Sequence, residues 1–95
     1  MEIRHESERG RFVADLEEGR ALLDYARVDE RTWDLRRTWV PESQRGRGVA
    51  TRLVRHVLDR AAEQGVKVIP SCWFVETFLE AHPDYRELVA EQPRG

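Results

Sequence analysis

Arg45-Gly46-Arg47-Gly48-Val49-Ala50 is the stretch that decides the fold, because the spacing of the apolar residues changes on either side of it. Before this stretch, apolar and polar side chains alternate over residues 32–40, which predicts a β-strand. After it, apolar residues recur at intervals of three and four from Val49 to Ala62, which predicts an amphipathic helix that Gly65 ends. A glycine-rich turn therefore joins a strand to a helix.

Three strands are predicted before this turn. They occupy residues 11–16, 21–28 and 32–40, and the short links between them predict an antiparallel meander. Aromatic and β-branched residues favour the third strand, which Pro41 ends. Its alternation places four residues on one face, namely Trp33, Leu35, Arg37 and Trp39.

One strand and two short helices are predicted after the long helix. Residues 66–69 form a short apolar run that is typical of a buried strand. Residues 73–81 and 83–90 are predicted to be helical, with a break at His82-Pro83 because the residue before a proline avoids the helical conformation. The order β-β-β-α-β-α-α indicates an α/β fold (α+β, on a mixed sheet).

The length of 95 residues predicts one domain that spans the whole chain. We expect residues 1–9 and 91–95 to be frayed, because both ends are rich in charged and polar side chains. No apolar run has the length of a membrane span or a signal peptide, so we expect a cytoplasmic protein. A single cysteine, Cys72, excludes an internal disulfide and a cysteine zinc cluster. The histidines have no metal-ligand spacing, so no metal site is predicted.

The turn at residues 45–50 has the composition of a phosphate-binding site. The first N–H groups of a helix have no partner within it, and the helix dipole makes that end positive. Glycines at positions 46 and 48 let a diphosphate approach the backbone. The pattern lacks the Gly-Lys-Ser/Thr of a P-loop and the third glycine of a dinucleotide fold. A plain tight turn with solvated arginines remains an alternative.

These residues resemble the acyl-CoA-binding signature of the GNAT superfamily of N-acetyltransferases, Arg/Gln-x-x-Gly-x-Gly/Ala, which Arg45, Gly48 and Ala50 match in spacing. More narrowly, residues 38–89 look like the short GNAT-like proteins that consist of little more than this core, with the same Pro-x-Cys, here Pro70-Ser71-Cys72, after the central strand. The similarity covers more than half of the chain.

The resemblance implies a minimal GNAT-like fold in which the strand at residues 66–69 splays from its neighbour to admit the acyl arm of acetyl-CoA. It implies that the diphosphate and the pantetheine arm of this cosubstrate bind to Trp39, Val40, Arg45, Gly46, Arg47, Gly48, Val49 and Ala50. Full-size relatives have two helices after their first strand, where this sequence offers only Glu17-Glu18-Gly19. Those helices help to wall the acceptor site, so the acceptor is left open.

Cys72 is the candidate catalytic residue, because it follows the splayed strand at a helix start, a position that favours the thiolate. It has two possible roles, as a nucleophile that accepts the acyl group or as a proton donor to the CoA thiolate. A small buried apolar residue is the alternative, since free cysteines are often buried.

Three functions follow from these observations. The first is transfer of acetyl from acetyl-CoA to a small amine or a protein amine. The second is a non-catalytic acyl-CoA-binding or sensing module, which the missing helices favour. The third is nucleic-acid binding through the arginines near the turn, which the net charge of −2 argues against. The expected partners are therefore acetyl-CoA or CoA and an amine, with no nucleic acid and no membrane. The oligomeric state is open.

Overall fold

A computed structural model describes residues 1–91, which form one five-stranded mixed sheet with its helices. The strands follow their chain order across the sheet, β1 to β5; the first four are antiparallel, and β5 lies parallel to β4. The strands are β1 (Glu2–Glu6), β2 (Arg11–Asp15), β3 (Arg20–Asp29), β4 (Thr32–Trp39) and β5 (Lys67–Pro70). The α-helices are α1 (Val49–Gln64) and α2 (Trp73–Ala81), and 3₁₀ turns cover Ser7–Arg9, Glu42–Gln44 and Pro83–Leu88.

The predicted mixed α/β fold is confirmed, and α1 forms where the apolar spacing placed it. Its buried residues are Val49, Leu53, Val54, Val57, Leu58 and Ala61, and they share one core with β2 to β5 and α2. Each large aliphatic side chain buried in this way contributes about 1.5–3 kcal/mol. Gly65 ends the helix in the left-handed conformation. None of the helices in the described part of the chain is long and apolar enough to cross a membrane.

The expectation that residues 1–9 are frayed is wrong, because residues 2–6 form the edge strand β1. On its outer face Arg4 donates hydrogen bonds to Asp15 at 2.8 Å and to Glu6 at 2.9 Å. On its inner face His5 stacks on Phe12, with ring centroids 4.0 Å apart. The prediction for residues 92–95 lies outside the described residues.

His5 also makes a hydrogen bond within the sheet, and its surroundings change its pKa. Its Nε2 makes a hydrogen bond with the hydroxyl of Tyr25. Burial, followed by the positive field of Arg60 and Arg27, lowers the pKa of His5 below its usual value. The neutral imidazole is therefore the form that the fold favours.

The additional strand also changes where the two helices that the resemblance implies for full-size relatives would lie in this chain. We expected that place at residues 17–19, after a first strand at residues 11–16. The first strand is β1, and a single 3₁₀ turn at Ser7–Arg9 links it to β2. Residues 17–19 instead close the hairpin between β2 and β3, where Leu16 N donates to Gly19 O at 3.1 Å.

A second correction concerns the faces of β4. Tyr25 pairs with Leu35 whereas Asp24 pairs with Arg37, so Arg36 is an extra residue that forms a β-bulge. The bulge reverses the alternation of side chains along β4. Trp33 and Trp39, which were expected on one face of the strand, therefore lie on opposite faces. Trp33 is buried in the core, while Trp39 is 45% exposed. The end of β4 therefore presents a tryptophan outside the core.

The predicted splay between β4 and β5 is visible in their pairing. The parallel register runs from Thr32 opposite Lys67 to Leu35 opposite Pro70 and goes no further, although β4 continues to Trp39. Pro70 has no N–H to donate, and Cys72 N makes the last link, to Leu35 O at 2.8 Å. The side of β4 that faces β5 is thus unpaired over residues 36–39.

Candidate functional site

A cavity of about 500 Å³ lies where the unpaired end of β4 meets the N-termini of α1 and α2. Its walls come from the last residues of β4, the connection to α1, the first turn of α1 and one residue of α2. They are Thr38, Trp39, Val40, Gln44, Arg45, Gly46, Gly48, Val49, Ala50, Thr51 and Phe74. The cavity therefore brings together seven of the eight residues that the sequence assigned to the cosubstrate; Arg47 lies outside the lining.

The backbone at the start of α1 supplies unused hydrogen-bond donors to this cavity. Arg45 N donates to Glu42 O and Arg52 N to Gly48 O, at 3.2 and 3.1 Å. Between them, the N–H groups of residues 46–51 have no protein partner among residues 1–91. No side chain caps α1, and its first turn contains no acidic residue. This end of the helix is therefore a positive, uncapped group of donors.

The two glycines of the turn have left-handed backbone conformations, with φ of 80° at Gly46 and 77° at Gly48. A side chain is strained at such angles, which accounts for glycine at both positions. A β-carbon at either position would meet no protein atom within 4 Å. The space beside both glycines is therefore open to a bound group.

The two arginines of the turn differ in their contacts. Arg45 Nε donates to Val40 O at 2.9 Å, which ties the turn to the end of β4. Its Nη nitrogens make no hydrogen bond within the described chain, so they are available at the cavity wall. The exposed Arg47 belongs to no ion pair of the described residues and adds positive charge near the mouth.

The end of the cavity next to the splay is apolar, with one polar pair behind it. Trp39, Val40 and Phe74 form apolar walls. Cys72 lies at the N-terminus of α2, as the sequence predicted; it is buried and does not line the cavity. Its Sγ lies 3.5 Å from Oγ1 of Thr38, which does. The role of Cys72 in catalysis therefore stays a prediction.

Four residues of the lining were not predicted from the sequence, namely Thr38, Gln44, Thr51 and Phe74. Thr51 could have been found, because it lies three residues after Gly48 and so within the first helical turn. The position of Thr38 depends on the bulge at Arg36, which the alternating pattern does not reveal. Nothing in the sequence marks Gln44 as buried.

Comparisons with known proteins agree with this geometry. Residues 11–88 match the family model of the GCN5-related N-acetyltransferases. Protein NATD1 of Gallus gallus and of Homo sapiens are each 33% identical over 95 residues, covering 98% of this chain and 86% and 84% of those relatives. The NMR solution structure of a GCN5-like protein from Staphylococcus aureus superposes with a TM-score of 0.73 at 26% identity, covering 98% of this chain and 91% of that one.

A mixed sheet with a splayed parallel pair, and a glycine-rich turn before an uncapped helix, define an acyltransferase fold of the GNAT type. The chain belongs to the GCN5-related N-acetyltransferase family. The resemblance noted in its turn sequence is thereby confirmed.

Proposed function

We propose that this protein transfers an acetyl group from acetyl-CoA to a primary amine. The observation that carries the proposal is the row of unpartnered N–H groups at residues 46–51, of which all but that of Arg47 belong to residues that line a cavity of about 500 Å³. Such a row suits a diphosphate, because backbone donors and the helix dipole hold its charge without desolvating a side-chain cation. The Nη nitrogens of Arg45 add positive charge at the same wall.

The unpaired end of β4 supports a site for the pantetheine arm. Backbone groups of residues 36–39 face the splay without partners from β5, and an extended arm with amide groups can bond to them as a strand would. Trp39 and Phe74 offer apolar surface to the carbon atoms of the arm. We infer that the thioester of the bound arm lies next to Thr38, whose Oγ1 is 3.5 Å from Cys72 Sγ.

The reaction needs few groups beyond correct positioning. The amine nitrogen bonds to the thioester carbonyl carbon, the C–S bond breaks and the thiolate leaves with the electron pair. The nitrogen releases its proton to water, and this proton balances the one that the thiolate takes up. Holding the two reactants together supplies much of the acceleration. The leaving thiolate needs a proton donor, and the thiol of Cys72, 3.5 Å from Thr38 Oγ1, is our candidate.

The acceptor is proposed as an amine of unspecified size, because the element that walls the acceptor site in larger members is short here. Only the 3₁₀ turn at Ser7–Arg9 links β1 to β2. The same observation favours the second function, a module that binds acyl-CoA without turning it over. The buried position of Cys72 is compatible with either function.

Two measurements test these proposals in order. Calorimetric titration with CoA, acetyl-CoA and a short DNA duplex identifies the ligand class; binding of DNA but not of CoA would refute both functions. Thiol release from acetyl-CoA with a panel of small amines and N-terminal peptides then separates an enzyme from a binding module. Cys72→Ala is the variant for the proton donor, and turnover equal to the wild type at equal CoA affinity would remove Cys72 from the mechanism.

A further inference from the structure

Gln44 is a buried amide whose hydrogen-bonding capacity is largely unused by the protein. It is 9% exposed, and no other polar or charged residue of the described chain is as deeply buried. Its Nε2 lies 3.5 Å from Ser43 Oγ, at the outer limit of a hydrogen bond, and its Oε1 accepts none from residues 1–91. Asp34 Oδ1 is the side-chain atom of the described residues that is both inaccessible and without a partner, so Oε1 of Gln44 is still accessible from the cavity that this residue lines.

The backbone around Gln44 directs this side chain at the cavity. Gln44 N donates to Pro41 O at 2.9 Å, which closes the 3₁₀ turn after β4. The side chain lines the cavity together with the end of β4 and the start of α1.

We infer that the side-chain amide of Gln44 binds an amide group of the pantetheine arm of CoA, an inference that rests on the proposed function. A glutamine side chain offers both a donor and an acceptor, which is the complement of a secondary amide. An anionic diphosphate calls for donors only, and the N–H groups of residues 46–51 already supply them. The apolar walls of the same cavity, formed by Trp39, Val40 and Phe74, also suit the arm rather than a charged group.

Fragments of CoA distinguish the two halves of the ligand. Pantetheine carries the amides without the diphosphate, and adenosine 3′,5′-diphosphate carries phosphates without the amides. Calorimetry measures the affinity of both fragments and of CoA for the wild type and for Gln44→Met, which keeps the side-chain length and removes both polar atoms. Gln64→Met is the matched control, because Gln64 is exposed at the far end of α1.

Gln44→Met is expected to weaken CoA and pantetheine about three- to tenfold, as the loss of one or two neutral hydrogen bonds implies. The affinity for adenosine 3′,5′-diphosphate should stay within about twofold, which is below the effect of one hydrogen bond. The melting temperature without ligand should not fall, because the variant removes a poorly partnered buried amide. Gln64→Met should match the wild type in every measurement.

Other outcomes overturn the inference in recognisable ways. Equal losses for the phosphate fragment and for pantetheine would assign Gln44 to the phosphates or to the shape of the turn. Unchanged CoA affinity would refute the inference and leave the proposed function intact, whereas no CoA binding by the wild type would refute both. If Gln44→Met does not fold, Gln44→Glu keeps the volume and must show the same selective loss.

Discussion

The proposed diphosphate site can be tested with two glycines of one helix that differ only in their position. Gly48 precedes the first residue of α1 with φ of 77°, and Gly65 follows its last residue with φ of 70°. A β-carbon at either position meets no protein atom within 4 Å. Gly48→Ala and Gly65→Ala therefore carry the same conformational cost, but only the first adds a methyl group to the cavity wall.

The expected magnitudes follow from this geometry. Alanine in the left-handed conformation costs about 1–2 kcal/mol, so both variants should lose this much stability. For a domain of this size, each kcal/mol lowers the melting temperature by about 4–8 °C. Displacing a phosphate from one charge-assisted hydrogen bond costs about 1.5–3 kcal/mol, so Gly48→Ala should weaken CoA binding about 10- to 100-fold. Gly65→Ala should bind CoA like the wild type.

The assay is calorimetric titration with CoA at 15 °C, and urea denaturation of each variant at the same temperature measures its stability and verifies that it is folded. Similar stability losses combined with an affinity loss for Gly48→Ala alone would support backbone binding of the diphosphate. Equal affinities for the two variants would refute the reasoning, because the methyl group at position 48 would then not meet the ligand.

Three further predictions use other features of the structure. Gly10→Ala should destabilise the protein by about 2–4 kcal/mol in urea denaturation, because its methyl group would lie 2.6 Å from Tyr25 O at a φ of 63°. Gly19→Ala, whose methyl group would make only a 3.4 Å contact, should lose about 1–2 kcal/mol. Equal losses for the two variants would contradict the packing argument. Burial lowers the pKa of His5, so the unfolded chain takes up the proton before the folded protein does as the pH falls below about 6.5. The melting temperature should therefore fall from pH 7 to pH 5, and it should fall less steeply in His5→Gln. Parallel pH profiles of the wild type and this variant would show that His5 is not the cause. Among the three tryptophans only Trp39 lines the cavity, so CoA should change the fluorescence of the wild type but hardly that of Trp39→Phe; a retained change would place the ligand elsewhere.

The helix and the turn before it could be predicted from the sequence because both depend on local chemistry. The apolar spacing after Gly48 is helical whatever surrounds it, and Gly65 supplies the C-terminal stop. The same holds for Pro70, which predicts the end of β5. The turn could be assigned to a diphosphate from the same local chemistry, whereas Trp39 and Val40 were assigned to the cosubstrate through the resemblance to the GNAT superfamily.

The parts that could not be predicted depend on contacts between distant residues. β1 contains only one strongly apolar side chain, Ile3, and it becomes a strand because its backbone pairs with β2 and its charged residues find partners there. The bulge at Arg36 depends on the register between β3 and β4, and the alternation of apolar and polar residues in the sequence of either strand does not reveal it. The burial of Gln44 likewise arises only when the turn closes over the cavity.

The early end of the pairing between β4 and β5 has a consequence for how quickly a ligand can bind. The pairing of β4 with β5 ends where Leu35 lies opposite Pro70, so a ligand that enters beyond this point does not have to break hydrogen bonds between these two strands. Binding then replaces water by ligand in a groove that is already formed in the free protein. Association should be a single concentration-dependent step in rapid mixing, without a slow unimolecular phase that limits its rate.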